Sequence, residues 1–200
     1  MTSALWLVAA YLFGAIPASY IAGRLSGVDL RAQGSKNLGA TNVYRVLGWR
    51  YAIPVGAFDV LKGALPVATA SRWAGGPDWL PVAAGIAAVA GHIFSPYVHF
   101  RGGKGVATAG GVFLALAPVA LVISAGLWAA VLWLSGYVSV SSLVAVALFP
   151  LWVRLTRPDA PYTFWASVGL AVLILVLHRA NIGRLIARTE HRFRTRKGAA

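Results

Sequence analysis

The stretch Gly105 to Leu134, GVATAGGVFLALAPVALVISAGLWAAVLWL, carries no ionisable side chain and is punctuated once, by Pro118. As a single helix it would run about 45 Å, well beyond the ~30 Å hydrocarbon core of a bilayer. As two helices parted at the proline, which removes a backbone donor and crowds the preceding turn, it supplies two shorter crossings. The choice fixes which side of a membrane everything downstream occupies. Outward from this stretch lie further apolar runs at Ala4 to Ala22, Tyr51 to Ala70, Trp79 to Phe94, Val138 to Val153 and Tyr162 to Leu177. Cations gather in cytoplasmic loops, so their distribution arbitrates. Splitting the long run into Gly105 to Ala117 and Val119 to Leu134 puts two basic loops and the tail on one side. The loops carry Arg24, Arg31, Lys36, Arg45, Arg50, Arg101 and Lys104, and the tail carries Arg179, Arg184, Arg188, Arg192, Arg194, Arg196 and Lys197. Only Arg72, Arg154 and Arg157 fall opposite, with Lys62 inside a span. A single kinked helix would strand the tail away from the other basic loops.

The expected fold is therefore all-α: a polytopic membrane bundle of seven transmembrane helices, N-terminus outside and C-terminus cytoplasmic. Composition agrees, since 12% charged residues is about half the usual share of a soluble chain, and 58% are hydrophobic. No repeat or linker divides the chain, so residues 1–200 read as one membrane domain, with 191–200 a basic and disordered tail. The first apolar run lacks a positive n-region, and its first cation, Arg24, follows it, which argues against a signal peptide. A net charge of +13 points to anionic headgroups or phosphorylated substrates rather than nucleic acid. With no cysteine, disulfides and thiolate chemistry are excluded.

Three polar segments stand against this apolar background, and the topology places them at one membrane face. Gly34-Ser35-Lys36-Asn37-Leu38-Gly39-Ala40-Thr41-Asn42, followed by Arg45, combines glycines with hydroxyl and amide groups. Arg101-Gly102-Gly103-Lys104-Gly105, opening into an apolar helix, gathers backbone N–H groups, a helix N-terminus and an ammonium, a setting that suits phosphate. It is not a nucleotide-binding Walker loop, because Gly105 stands where that motif needs Ser or Thr. Thr108, one turn on, is a further donor. In the third segment His178, Asn181 and Arg184 continue the last helix out of the membrane, with Glu190 beyond them as the tail's sole acid, an expected ion-pair partner. Asp59 and Lys62 lie three residues apart within the second span, where unpaired charge is costly, so they are expected to form a structural pair.

The stretches GSKNLGATNVYRVLG (Gly34 to Gly48), GHIFSPYVHFRGGKGVAT (Gly91 to Thr108) and HRANIGRLIARTE (His178 to Glu190) together resemble the bacterial acyl-phosphate-dependent glycerol-3-phosphate acyltransferases. The three motifs occur in order and, with the spans between them, cover essentially the whole chain. Two positions depart from the family pattern: Lys36 and Arg188 stand where glycine is usual. The resemblance implies transfer of a fatty acyl group from acyl phosphate to the 1-hydroxyl of glycerol 3-phosphate. The products would be lysophosphatidate and phosphate, an early step of phospholipid synthesis at the bacterial inner membrane. No metal or other cofactor is expected. Partners would be membrane lipids and a soluble enzyme that makes acyl phosphate from acyl-carrier protein.

On this reading Gly102, Gly103, Lys104, Gly105 and Thr108 bind a phosphate. Gly34, Ser35, Asn37, Thr41, Asn42 and Arg45 orient the acyl phosphate, and His178 with Asn181 positions the acceptor hydroxyl. The acceptor proton goes either to His178 or to a substrate phosphate. Acyltransferases of the CoA-dependent type use a His followed five positions later by Asp; the four such positions here are Tyr97, Lys104, Gly183 and Arg196. Five scattered acids cannot supply the metal cluster of a CDP-alcohol phosphotransferase. A transporter of an organophosphate or other anion is the alternative from a different class, compatible with the spans and the intramembrane Asp59–Lys62 pair.

Overall fold

The computed structural model describes residues 2–73 and 77–193. The tail cations Arg194, Arg196 and Lys197 lie outside the described residues. Among the described residues all regular structure is helical. The first half comprises α1 (Ser3–Gly14), α2 (Ala18–Leu25), α3 (Ala40–Leu47), α4 (Trp49–Trp73) and α5 (Leu80–Ile93). A single 3₁₀ turn, Pro96–Val98, precedes α6 (Val106–Leu116), α7 (Pro118–Ser135), α8 (Val138–Thr156), α9 (Pro161–Leu177) and α10 (Arg179–Ile186).

Pro118 does end the long apolar run. Ala117 before it takes φ −148°, ψ 65°, outside the helical region that a following proline disfavours, and α6 and α7 part there. By length and apolar character five segments can cross a membrane: α1 with α2, α4, α5 with the turn after it, α7 and α8. The pair α9 and α10, bent by 51°, makes a sixth. Against the expected seven, α6 falls short: its 11 residues rise only ~16 Å. The glycine-rich turn before it and Ala117 after it trim it to three turns.

Shortness does not leave α6 loose. A Cβ on Gly111 would lie 1.9 Å from the Val60 carbonyl oxygen, and one on Gly63 would lie 2.1 Å from that of Thr108. Only glycine permits so close an approach, so α6 is held backbone to backbone against α4. The main core then collects Val67 of α4, Val89 and Ile93 of α5, Val112 and Phe113 of α6, Phe149 and Val153 of α8, and Ile174 of α9. Outside it, Leu5, Ile53, Val122, Trp133, Trp165 and Val176 are exposed. Such an apolar exterior is stable only against lipid or another apolar partner.

Three spans are interrupted near one end of the bundle. α1 and α2 part at Pro17, where Lys62 donates to the freed Ile16 carbonyl at 2.9 Å. The glycine turn stops α6 short of that end, and α9 gives way to α10 at His178. Broken helices expose backbone groups that an unbroken span satisfies internally, and the breaks before α6 and at His178 both border a polar cavity.

Candidate active site

The cavity has a volume of about 230 Å³ and is walled by α3, α4, α5, α6, α7, α8 and the α9–α10 junction. The loop before α3 is shaped by Asn42, 1% exposed. Its amide donates to the Leu30 and Gln33 carbonyls, both at 3.1 Å, and accepts from the Ser35 N–H at 2.8 Å. That brace brings Ser35, Asn37, Thr41 and Arg45 to the cavity wall. Burial, the main influence on the Arg45 guanidinium, pushes its pKa below the ordinary value, and its Nε is buried without a hydrogen-bond partner. A guanidinium in that state favours an anion as its neighbour.

The second wall is the turn before α6. Gly102 N–H donates to the Ile93 carbonyl at 2.9 Å and Gly103 N–H to that of His92 at 3.2 Å. A Cβ on Gly103 would lie 2.2 Å from the His92 ring nitrogen Nε2, so this turn fits against α5 only with glycine. Gly105, at φ 81°, then starts α6 and directs Lys104 across the cavity, where its ammonium donates to the Asn181 Oδ1. Burial foremost, then the nearby Arg184 charge, pushes the Lys104 pKa down to about 8, with Glu190 opposing and Arg45 adding to the fall.

The third wall is the bend between α9 and α10. His178, just beyond the last residue of α9, pairs its Nδ1 with the Ile174 carbonyl at 2.8 Å. A carbonyl can only accept, so Nδ1 carries the proton and Nε2 keeps a lone pair. Asn181 donates from Nδ2 to Glu190 Oε1 at 2.7 Å, and Arg184 Nε pairs with Glu190 Oε2 at the same distance. For Glu190 burial works to raise the pKa, but the hydrogen bonds from Asn181 and Arg184 prevail and hold it below the carboxylate range. Lys104, Asn181, Glu190 and Arg184 thus form one chain of hydrogen bonds through the wall. The tail beyond Glu190 closes over α3: Phe193 stacks on Tyr44 with ring centroids 5.0 Å apart and donates its N–H to the Gly136 carbonyl at 2.8 Å.

Asp59 and Lys62 pair at 2.7 Å, both 1% exposed, as their spacing in the sequence suggests. Asp59 also faces the cavity beside His92, whose Nδ1 is 3.6 Å from its carboxylate.

The sequence motifs do not account for the whole cavity. Trp128, Val138, Ser139 and Ser142, outside all three motifs, also line it, as does His92 from within the second motif. Val138 and Ser139 begin α8, Ala40 and Thr41 begin α3, Gly105 to Ala107 begin α6, and Asn181 lies in the first turn of α10. Residues at the N-terminal ends of four helices therefore share the wall of one space, where the positive ends of helix dipoles favour anions. Conversely, Gly34, Gly102, Gly103 and Thr108 do not line it. Gly102 and Gly103 pack on the end of α5, Gly34 lies under the Asn42 side-chain amide oxygen Oδ1, and Thr108 is fully buried. The left-handed Gly105 breaks helical counting between Lys104 and Thr108, so one-turn spacing does not put them on one face. At its inner edge the polar cavity shares Val106, Ala107, Trp128 and Ser142 with an apolar cavity of about 400 Å³. Such a site can hold two anionic groups and an alkyl chain at once. Among the described residues no cluster of His, Asp or Glu is suited to a metal ion.

The sequence profile of a family described as Glycerol-3-phosphate acyltransferase matches residues 4–188. The chain belongs to the glycerol-3-phosphate acyltransferase family. A relative of that name from Trichlorobacter lovleyi is 43% identical over 97% of this chain and 100% of its own. One from Thermus thermophilus is 45% identical over 96% of both chains. Among solved structures, PlsY (YgiH), an integral membrane glycerol 3-phosphate acyltransferase, superposes in its glycerol 3-phosphate form with a TM-score of 0.91 at 37% identity. That match covers 96% of each chain. Its lysophosphatidic acid form gives 0.88 at 36% identity. Lys36 and Arg188, the two positions where the sequence reading expects glycine, both sit at left-handed φ, 60° and 58°. These are backbone angles that glycine adopts freely and other residues adopt at a cost.

Proposed function

We propose that this acyltransferase moves a fatty acyl group from acyl phosphate to the 1-hydroxyl of glycerol 3-phosphate, releasing lysophosphatidate and inorganic phosphate for phospholipid synthesis. The observation that carries the reading is the junction of the two cavities. Cations and helix N-termini surround one side, an apolar tube opens from the other, and an acyl phosphate has this same division between head and chain. Both phosphates occupy the polar side, where Lys104, Arg45 and the N-termini of α6 and α8 offset the repulsion between two dianions. Ser35, Asn37 and Thr41 orient the acyl phosphate, and Asn181 with His178 places the acceptor. Asn42, Gly34, Gly102 and Gly103 shape the walls, and Asp59, Lys62 and Glu190 hold them.

The acceptor hydroxyl oxygen attacks the acyl carbonyl, the carbonyl carbon–phosphate oxygen bond breaks, and the departing phosphate takes the hydroxyl proton. The departing phosphate, whose second pKa lies near ~6, is the proton acceptor beside the breaking bond. Ser35 has no base beside it, which favours direct transfer over an acyl-enzyme.

Seven membrane segments, with α6 as a short fourth segment seated against α4, put the N-terminus outside. They put the basic loops, the tail and the cavity at the cytoplasmic face of the bacterial inner membrane. A soluble enzyme that makes acyl phosphate from acyl-carrier protein supplies the donor there, and no metal or cofactor takes part.

Purified protein given synthetic palmitoyl phosphate and labelled glycerol 3-phosphate, with no other protein, is expected to form labelled lysophosphatidate. Activity with palmitoyl-CoA and none with palmitoyl phosphate would overturn the donor assignment.

A further inference from the structure

The apolar cavity has a uniform depth. Its lining begins at the polar junction with Val106 on α6, Trp128 on α7, Ser142 on α8 and Ile174 on α9. It ends seven residues away on each helix, at Phe113, Leu121, Phe149 and Ser167. Seven helical residues rise ~10 Å, so the cavity is a tube about two turns deep. The inner end is closed: the Phe113 and Phe149 rings meet with centroids 4.5 Å apart. They belong to the same core cluster as Ala117, Ala120 and Val153, each at most 1% exposed. Exposed Ala125 lines the side of the tube and marks where it meets the bilayer. Midway down, Gly110 leaves the bore open, since a Cβ there would meet only the Leu121 Cδ1, at 4.0 Å.

Resting on the acyl-transfer reading above, we infer that the Phe113–Phe149 pair is the stop that sets acyl-chain preference, and that Gly110 sets the width of the bore. With its carbonyl at the Trp128–Ser142 junction, a chain extends down the tube until its methyl end meets the two rings. A longer chain must fold out past Ala125 or draw its carbonyl away from the bound acceptor, and either change lowers kcat/KM for that donor.

The test is the donor-length profile of kcat/KM, measured with octanoyl, lauroyl, palmitoyl and stearoyl phosphate at fixed glycerol 3-phosphate. Phe149→Ala, which opens the floor, is expected to raise the lauroyl-to-octanoyl ratio roughly tenfold over the unsubstituted protein, since a ~10 Å tube takes an extended chain of about eight carbons. Gly110→Leu, which projects into open space and replaces a poor helix former, is expected to fold normally and lower that ratio by a similar factor. Active variants that keep the unsubstituted profile would overturn the stop. A protein without activity on any acyl phosphate would instead overturn the acyl-transfer reading on which it rests.

Discussion

At the scale of single residues, Lys104 carries the sharpest expectation. Its folded pKa of about 8 lies below the ordinary lysine value of 10.5. Between those values the unfolded chain binds the extra proton, so this residue's contribution makes stability rise with pH across that window. Anion binding runs the other way, because the ammonium is lost. We expect kcat/KM for glycerol 3-phosphate to fall above pH ~8, and Lys104→Arg to move that limb beyond the measurable range if it retains activity. A limb unmoved in an active arginine variant would assign it to another group. Lys36 and Arg188 provide a second test, on stability. Both hold left-handed backbone, so Lys36→Gly and Arg188→Gly are each expected to stabilise the fold by about 0.5–1 kcal/mol, read from thermal unfolding in detergent. The sequence marks both positions as departures from a glycine, but only φ shows what the departure costs.

At the scale of elements, neighbouring glycines of α6 have opposite roles. Gly111 is pressed against the Val60 carbonyl, whereas Gly110 faces open space. Gly111→Leu should therefore destabilise by 1–3 kcal/mol or more through forced separation of α4 and α6, while Gly110→Ala should stabilise by about 1 kcal/mol. Equal effects in unfolding measurements would contradict the backbone contact. The same helix shows what the sequence makes legible. Pro118 announces the α6–α7 break, because a proline's local cost needs no tertiary information. The brevity of α6, the existence of α3 and the 51° bend that sets α10 apart from α9 are hidden, because short helices and bends depend on tertiary packing more than on local propensity. Site residues divide in the same way. Lys104, Asn181 and Arg45 stand out as polar groups in polar motifs. Ser139 and Ser142 sit in the run VSVSS, which reads as an ordinary helix start until its N-terminus is seen to face the cavity. Thr108 shows the converse error, a plausible donor that the turn at Gly105 rotates out of the site.

At the scale of the whole molecule, the charge asymmetry and the cavity belong to one arrangement: the basic loops converge where the helices break, and two cations face inward among four helix N-termini. The proposed orientation has a direct check in a chain without native cysteine. Thr2→Cys is expected to react with a membrane-impermeant maleimide added to intact cells, and Ala187→Cys only after permeabilisation. The reverse pattern would invert the topology. The central claim is that the cavity around Lys104 performs acyl transfer between two phosphorylated substrates. Its most direct measurement is the turnover of palmitoyl phosphate and labelled glycerol 3-phosphate by the purified protein and by folded Lys104→Ala, in bilayers of one composition. The unsubstituted protein should yield lysophosphatidate and phosphate in equal amounts, and Lys104→Ala should be slower by roughly 100-fold or more. Undiminished turnover in the folded variant would contradict it.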